Sequence, residues 1–275
     1  EEELIRPDGT RIPVMMGLAQ LEGSSTEWVG FVLDLTEQRK ADRLKSEFIS
    51  VVSHELRTPL TSIRGALGLL ESGVGGELAP NIMQLIKIAH KNSQRLGTLV
   101  NDILDMEKLA SGKMVVNIDR IDLVSLTMQA LDANAAYAQA LHVCYRLVEH
   151  PDQAWVMGDS VRVMQVFANL LSNAAKFSPS GGTVDVSVKE TAGAFRVEVQ
   201  DRGAGIPEAF REQIFEKFAQ ADGTNTRQQG GTGLGLNITK TFVEKMGGEI
   251  GFQTEEGKGT TFWFTLLAAI RRRSD

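Results

Sequence analysis

The chain has 275 residues, 42% apolar and 23% charged, which is enough length for about two globular domains and a short third module. Its 29 Lys and Arg against 35 Asp and Glu leave a net charge of −6, a balance that gives no electrostatic footprint for nucleic acid or for an anionic bilayer. One cysteine, Cys144, excludes an internal disulfide and any zinc spacing, so a reducing, cytoplasmic compartment is expected, with Cys144 itself in a core.

The opening Glu1-Glu2-Glu3, with no start methionine and no basic-then-apolar leader, reads as part of a longer chain. No window approaches the roughly 18 apolar residues that span a bilayer, and the longest greasy run, Phe262 to Ile270, is interrupted by Thr265. Residues 1–35 alternate short apolar runs with turns at Pro7-Asp8-Gly9 and Gly23-Ser24-Ser25, which predicts three strands, too few to bury a core alone.

From Asp34 the period becomes helical. At about 100° per residue, with Val52 as zero, Ala41, Phe48, Leu56, Pro59, Ile63, Ala66 and Leu70 all fall within about 40° of one apolar stripe. His54 falls at about 200°, on a polar face with Ser50, Thr58, Thr61 and Ser62. Pro59 cannot donate to the carbonyl of Glu55, so a bend is expected one residue past an exposed imidazole. After the glycine-rich loop 72–80, a second helix over 81–110 carries Ile82, Leu85, Ala89, Leu96, Leu99, Ile103, Met106 and Ala110 as its seam and stops at Ser111-Gly112. A hairpin of two such helices leaves part of each seam open, and two copies pairing into a four-helix bundle cover it, so a homodimer is predicted.

Beyond Lys113 the pattern turns mixed: a strand over 113–118, a helix over 123–141, strands over 143–148 and 154–157, and a helix over 160–176. Strands over 184–189 and 195–200, a helix over 234–246 and strands over 249–254 and 261–267 follow. These predict helices layered on a mostly antiparallel sheet. Four clusters carry the chemistry. Asn169 and Asn173 are four apart on one helical face, where amide oxygens suit a hard cation, with Lys176 and Phe177 at the end of the same helix. Asp201-Arg202-Gly203-Ala204-Gly205 follows a strand, setting a carboxylate where it can accept from a base amine and letting backbone approach a ligand. Phe215-Glu216-Lys217-Phe218 offers aromatic anchors before the polar stretch 219–229. Gly230-Gly231-Thr232-Gly233-Leu234-Gly235 then opens a helix whose N-terminus suits phosphate. Walker and Rossmann loops are both excluded: Gly257-Lys258-Gly259-Thr260 lacks the spaced first glycine, and Gly231, Gly233 and Gly235 alternate after a loop rather than a strand.

These clusters in this order, behind His54-Glu55-Leu56-Arg57-Thr58-Pro59-Leu60, resemble the sensor histidine kinases of two-component signalling over about residues 36–268. The resemblance implies a multidomain α and α+β fold, in which a dimeric antiparallel helical hairpin is followed by a two-layer α/β sandwich of the Bergerat (GHKL) type. It divides the chain into 36–112, the dimerisation and phosphotransfer hairpin, 113–270, the ATP-binding catalytic domain, and a tail, 271–275. Residues 1–35 resemble the C-terminal part of a PAS sensor domain. The resemblance also implies the roles. His54 would accept the phosphoryl group, Glu55 would take its proton or orient its ring, and Thr58 would position water for a phosphatase reaction on the partner. ATP and Mg²⁺ would be bound, with Asn173 and Asn169 on the metal, Lys176 on phosphate, Phe177 beside the nucleotide and Asp201 on the adenine amine. Gly203, Gly205, Phe218, Thr232 and Leu234 would complete the site, and Gly231, Gly233 and Gly235 would hinge its lid. The partners implied are a second copy and the receiver domain of a response regulator, with no nucleic acid. The alternatives are an ATPase of the same superfamily and a degenerate kinase that only scaffolds. An amide at Asn169, where the superfamily's ATPases carry a glutamate, disfavours water activation.

Overall fold

The computed structural model describes residues 2–20, 28–74, 76, 78–112, 114–219 and 233–269. The chain divides into two compact units, Glu1–Glu107 and Lys108–Asp275.

In the first unit, β1 (Glu2–Ile5), β2 (Arg11–Gln20) and β3 (Trp28–Asp34) form an antiparallel sheet in that order, as their alternation predicts. Asp34 accepts from the Thr36 amide at 2.8 Å, and the Leu35 amide donates to the Pro13 carbonyl at 2.9 Å, so the sheet is tied to the start of the next helix. That helix, α1 (Thr36–Glu71), runs unbroken with Pro59 inside it, and α2 (Pro80–Ala110) follows as the second arm of the hairpin. The helix continues through Pro59, as the single apolar stripe from Ala41 to Leu70 predicts.

The arms meet mainly beside the predicted apolar seams. On α1 the sheltered positions include Ser46, Ile49, Ser53, Leu60, Leu67 and Glu71, each one residue after a seam position or in line with such a residue, and the seam residue Leu70 is half-buried at the loop end. On α2 they include Met83, Ile86, His90, Ser93, Gly97, Val100, Leu104 and Glu107, displaced by one residue, or about 100° of helix, from the seam, of which Leu99 and Met106 are also half-buried. Small side chains make this face work: a methyl at Gly97 would already touch Leu60 at 3.5 Å, and Ser93 satisfies its hydroxyl on the His90 carbonyl at 2.8 Å. His90 lies at the loop end, its Nδ1 2.6 Å from Glu71, and Ser46 donates to Glu107 at the other end. The seam residues Phe48, Leu56, Ile63, Leu85 and Leu96 are therefore left exposed within one chain.

The second unit is a layered α/β domain. Strands β5 (Cys144–Glu149), β7 (Thr183–Thr191), β8 (Ala194–Gln200), β10 (Gly259–Leu267) and β9 (Ile250–Glu255) lie in the order β5-β7-β8-β10-β9, antiparallel except for the β5–β7 pair. A small ladder joins β4 (Asp119–Asp122) to β6 (Trp155–Gly158). Helices α3 (Leu123–Ala140), α4 (Ser160–Phe177) and α6 (Gly235–Lys245) cover one face, and α5 (Glu208–Arg211) is a single turn. Alternation along the strands sends Val184, Val186, Val188, Val197, Val199 and Phe264 into the helices, where Phe167 meets Phe264 edge to face at 5.5 Å.

Two expectations are corrected here. Met114 to Ile118 are not a strand; the ladder begins at Asp119, because it is Asp119–Asp122 that finds a partner in β6. Cys144 is exposed rather than in a core: it starts the edge strand β5, and the half-buried alternate positions are Tyr145 and Leu147.

Asp159 fixes the start of α4. One carboxylate oxygen accepts from the Val161 and Arg162 amides at 3.0 and 3.2 Å, and the other accepts from the Asn117 amide at 3.0 Å. Replacing it with alanine removes the cap and the acceptor of the Asn117 amide, so Asp159→Ala should cost about 1–2 kcal/mol. A thermal melt should show this as a drop of about 3–6 °C, with Asp159→Asn recovering most of it.

Candidate functional site

Helical geometry decides what α4 presents. Its 3.6-residue repeat puts Val163, Val166, Phe167, Leu170, Leu171 and Ala174 into the core, which leaves Asn169, Asn173 and Lys176 half-buried on an adjoining face. The amides are not idle. Asn169 donates through Nδ2 to the Thr239 hydroxyl of α6 at 2.7 Å, and its Oδ1 accepts from Asn173 Nδ2 at 3.3 Å. This chain of contacts leaves Asn173 Oδ1 with no partner among the described residues.

Gly235, the first residue of α6, lies directly against this pair. A methyl added there would come within 2.5 Å of Asn169 Oδ1, so the start of α6 reaches the amide only because the position is glycine. Gly233, with φ +69°, sits against the backbone of Phe218, which itself has φ +63° and an exposed ring. Leu234 is buried. Gly231 and Thr232, and the stretch 220–230 before them, lie outside the described residues.

Asp201 follows β8 and is 5% exposed. Its Oδ1 accepts from the Gly203 amide at 2.8 Å and the Thr260 amide at 3.2 Å, while Oδ2 takes no bond among the described residues. Burial raises its pKa above the usual carboxylate value against the lowering effect of those two amides. Gly203 passes so close to the end of α4 that a methyl would stand 2.3 Å from the Phe177 carbonyl. Gly205 rests on the Glu255 carbonyl in the same way. Between the two loops lies a cavity of about 310 Å³, whose walls include Lys176, Phe177, Ser178, Arg202 and Ala204. The Ser178 hydroxyl is buried with no partner among the described residues, and Lys176 Nζ lies 4.7 Å over the half-exposed Phe177 ring. The strand register also brings in residues the motifs do not name. Thr254 accepts from the Ile206 amide and pairs with Thr260 at 3.0 Å, bracing the Asp201 loop from β9 and β10. Only the pairing of strands distant in sequence could have revealed them.

The donor set suits a nucleotide and a hard cation. A buried carboxylate oxygen without a partner fits an exocyclic amine, and an unpaired amide oxygen fits one position of an octahedral cation that keeps water and phosphate as its other ligands. Among the described residues no group of three or more His, Cys, Asp or Glu is placed to hold a metal.

On the first unit, His54 and Glu55 are both exposed, with side-chain exposures of 73% and 76%, and His54 Nδ1 lies 3.3 Å from Glu55 Oε1. Thr58 is exposed on the next turn. His150 bonds the neighbouring Pro151 carbonyl, and His142 occupies a turn with φ 56°.

Residues 44–112 match the His Kinase A (phospho-acceptor) domain, and residues 158–270 match the histidine kinase-, DNA gyrase B- and HSP90-like ATPase family. The hybrid signal transduction protein dokA of Dictyostelium discoideum is 36% identical over 98% of this chain and 17% of its own length. The signal transduction histidine-protein kinase BarA of Escherichia coli (strain K12) is 35% identical over 90% of this chain and 27% of its length. WalK of Bacillus subtilis (strain 168), a sensor histidine kinase, is 37% identical over 86% of this chain and 39% of its length. The chain thus spans well under half of each. Full-length ShkA, solved in complex with AMPPNP, superposes with a TM-score of 0.66 at 28% identity, covering 81% of this chain and 46% of that one. With a phosphoacceptor hairpin and an ATPase sandwich in this order, and these relatives across both, the chain belongs to the sensor histidine kinases of two-component signalling.

Proposed function

We propose that the chain transfers the γ-phosphoryl group of ATP to its own His54 and then to an aspartate on the receiver domain of a response regulator, with a phosphatase reaction on the same partner. The observation that carries this reading is the placement of His54. It stands on a helix whose one face closes the hairpin and whose adjacent face is an uncovered apolar stripe, yet the imidazole projects from neither and meets solvent.

Glu55 at Nδ1 favours the tautomer with the proton on that nitrogen, which leaves the Nε2 lone pair available. In the forward step Nε2 forms the bond to phosphorus, the bond from phosphorus to the bridging oxygen breaks, and ADP departs with the electron pair. The Nδ1 proton passes to Glu55 as the ring would otherwise become cationic. Returning that proton makes the phosphorylated ring a better leaving group when a receiver carboxylate attacks. Thr58, one turn on, supplies a hydroxyl for positioning water in the phosphatase direction.

On the second unit, Asp201 Oδ2 accepts the adenine amine, Phe177 covers the base, and Lys176 meets phosphate. Asn173 and Asn169 hold Mg²⁺, which supplies charge neutralisation for the phosphates. The uncovered stripes, Phe48 to Ile63 on α1 and Leu85 to Leu96 on α2, are the faces that a second copy covers in a four-helix bundle. Transfer requires the two units to be brought together, which makes Ser111-Gly112, where Gly112 has φ +67°, the natural hinge. The sheet of β1, β2 and β3, assigned here to the end of a PAS sensor domain, feeds α1 directly.

Incubation with γ-labelled ATP tests the reading: the chain should take up acid-labile, alkali-stable label that is lost in His54→Gln. Release of free phosphate without labelled protein would instead make it an ATPase.

Asp201→Asn separates binding from folding. The amide still accepts from Gly203 and Thr260, but the charge on the adenine contact is gone, so ATP affinity should fall by about 10- to 100-fold. The sign of the stability effect follows from the raised pKa. Ionised Asp201 costs the fold stability at neutral pH, and that cost disappears as pH falls through its folded-state pKa toward 3.8. Thermal melts should therefore show the variant at least as stable as the parent at pH 7 and the gap closing near pH 4. A variant that loses stability at pH 7 would give Asp201 a structural role instead.

A further inference from the structure

The first unit holds two arginines, Arg57 and Arg64, beside one cleft. Arg57 donates through Nη2 to Asn101 Oδ1 across the hairpin at 3.1 Å. Arg57, Thr61 and Arg64 of α1 and Gly97 and Asn101 of α2 line a cleft of about 130 Å³. Among the described residues neither guanidinium has a carboxylate partner. A guanidinium carries five N–H donors in a rigid fork, so the single bond to Asn101 fixes Arg57 and leaves most of its donors free.

The position of Arg57 matters more than its charge alone. It is the one Lys or Arg among residues 50–60, three residues beyond His54. Positions i and i+3 lie about 5–6 Å apart at Cβ, which sets Arg57 one turn from the imidazole, at the edge of the cleft it lines with Asn101. That turn needs a cation. Glu55 at the ring opposes the approach of a polyanionic donor, and the transferring phosphoryl group spreads charge over three equatorial oxygens.

We propose that Arg57 is a further catalytic residue: its guanidinium meets the phosphoryl oxygens as phosphorus passes from the bridging oxygen of ATP to Nε2 of His54. Asn101 is its positioning residue, and Arg64 extends the same positive cleft. The proposal rests on the phosphotransfer reading above. The tether also links chemistry to packing. Because it runs from α1 to α2, a rotation of one arm against the other withdraws the cation from His54 with no change at the nucleotide site.

The test uses the whole chain, saturating ATP and initial rates of label uptake. Arg57→Gln should slow labelling of His54 by about 100-fold or more while the KM for ATP stays within about twofold. Arg57→Lys should recover about tenfold of that loss. Asn101→Ala should slow labelling by about five- to tenfold in the parent and have no further effect in Arg57→Gln, since the two act as one unit. Circular dichroism checks the hairpin, and if Arg57→Gln loses helix, Arg57→Lys and Asn101→Ala decide the matter. Labelling at the parent rate in Arg57→Gln, a loss confined to KM, or an Asn101→Ala effect that persists without Arg57 would overturn the proposal. So would normal labelling followed by slow transfer to a receiver domain, which would assign Arg57 to the partner. An unlabelled parent would bring down the phosphotransfer reading itself, a result distinct from all of these.

Discussion

One helix has to present three different faces, and the rest of the first unit follows from how α1 divides them. At about 100° per residue, the hairpin contact lies near 60–120°, the uncovered apolar stripe near zero and His54 near 200°. A helix buried on two faces usually has little left for solvent, but both packing faces here are narrow. The hairpin face is narrow because serines and a glycine let the arms approach closely, with Leu60 against Gly97. The imidazole stays wet because the greasy surface is confined to adjacent sectors.

The same economy explains what sequence reading could and could not see. Hydrophobic periodicity finds the greasiest stripe, and Phe48, Val52, Leu56 and Ile63 are that stripe. It is blind to a contact built from Ser53, Ser93, His90 and Gly97, whose apolar content is low although their burial is real. The long helices and most strands of the second unit were legible because each has a sustained period and a clear stop, such as Asp159 before α4. Strand ends and partners were not. Whether Met114–Ile118 or Asp119–Asp122 makes the ladder depends on β6, more than thirty residues away, and Cys144 is exposed because β5 ends at a sheet edge.

The candidate nucleotide site was legible in its glycines and carboxylate but not in its support. Asp201 is recognisable as a carboxylate after a strand; that Thr260 and Thr254 brace it depends on the β9–β10 register. This bracing has an energetic side. A carboxylate that is 5% exposed and served by only two amides is costly to keep ionised, which is why its pKa rises. A site that left this cost uncompensated in the free protein and relieved it on binding would favour a ligand that donates to Oδ2, and an exocyclic amine does so.

Asn169 shows how the same residues steer chemistry as well as binding. Its amide is held at both ends, by Thr239 and by Asn173, so its orientation is fixed. An amide oxygen accepts a hydrogen bond but is far too weak a base to take a proton from water. Under the proposed function, a phosphate chain beside it would be protected from the nearest hydrolytic route, and a nucleophile would have to come from elsewhere. The exposed imidazole of the other unit, with Glu55 3.3 Å from its Nδ1, is the nucleophile the proposed function assigns. On that reading, donor and acceptor lie on separate units, so the packing of the hairpin, rather than nucleotide affinity, would determine when the phosphoryl group moves.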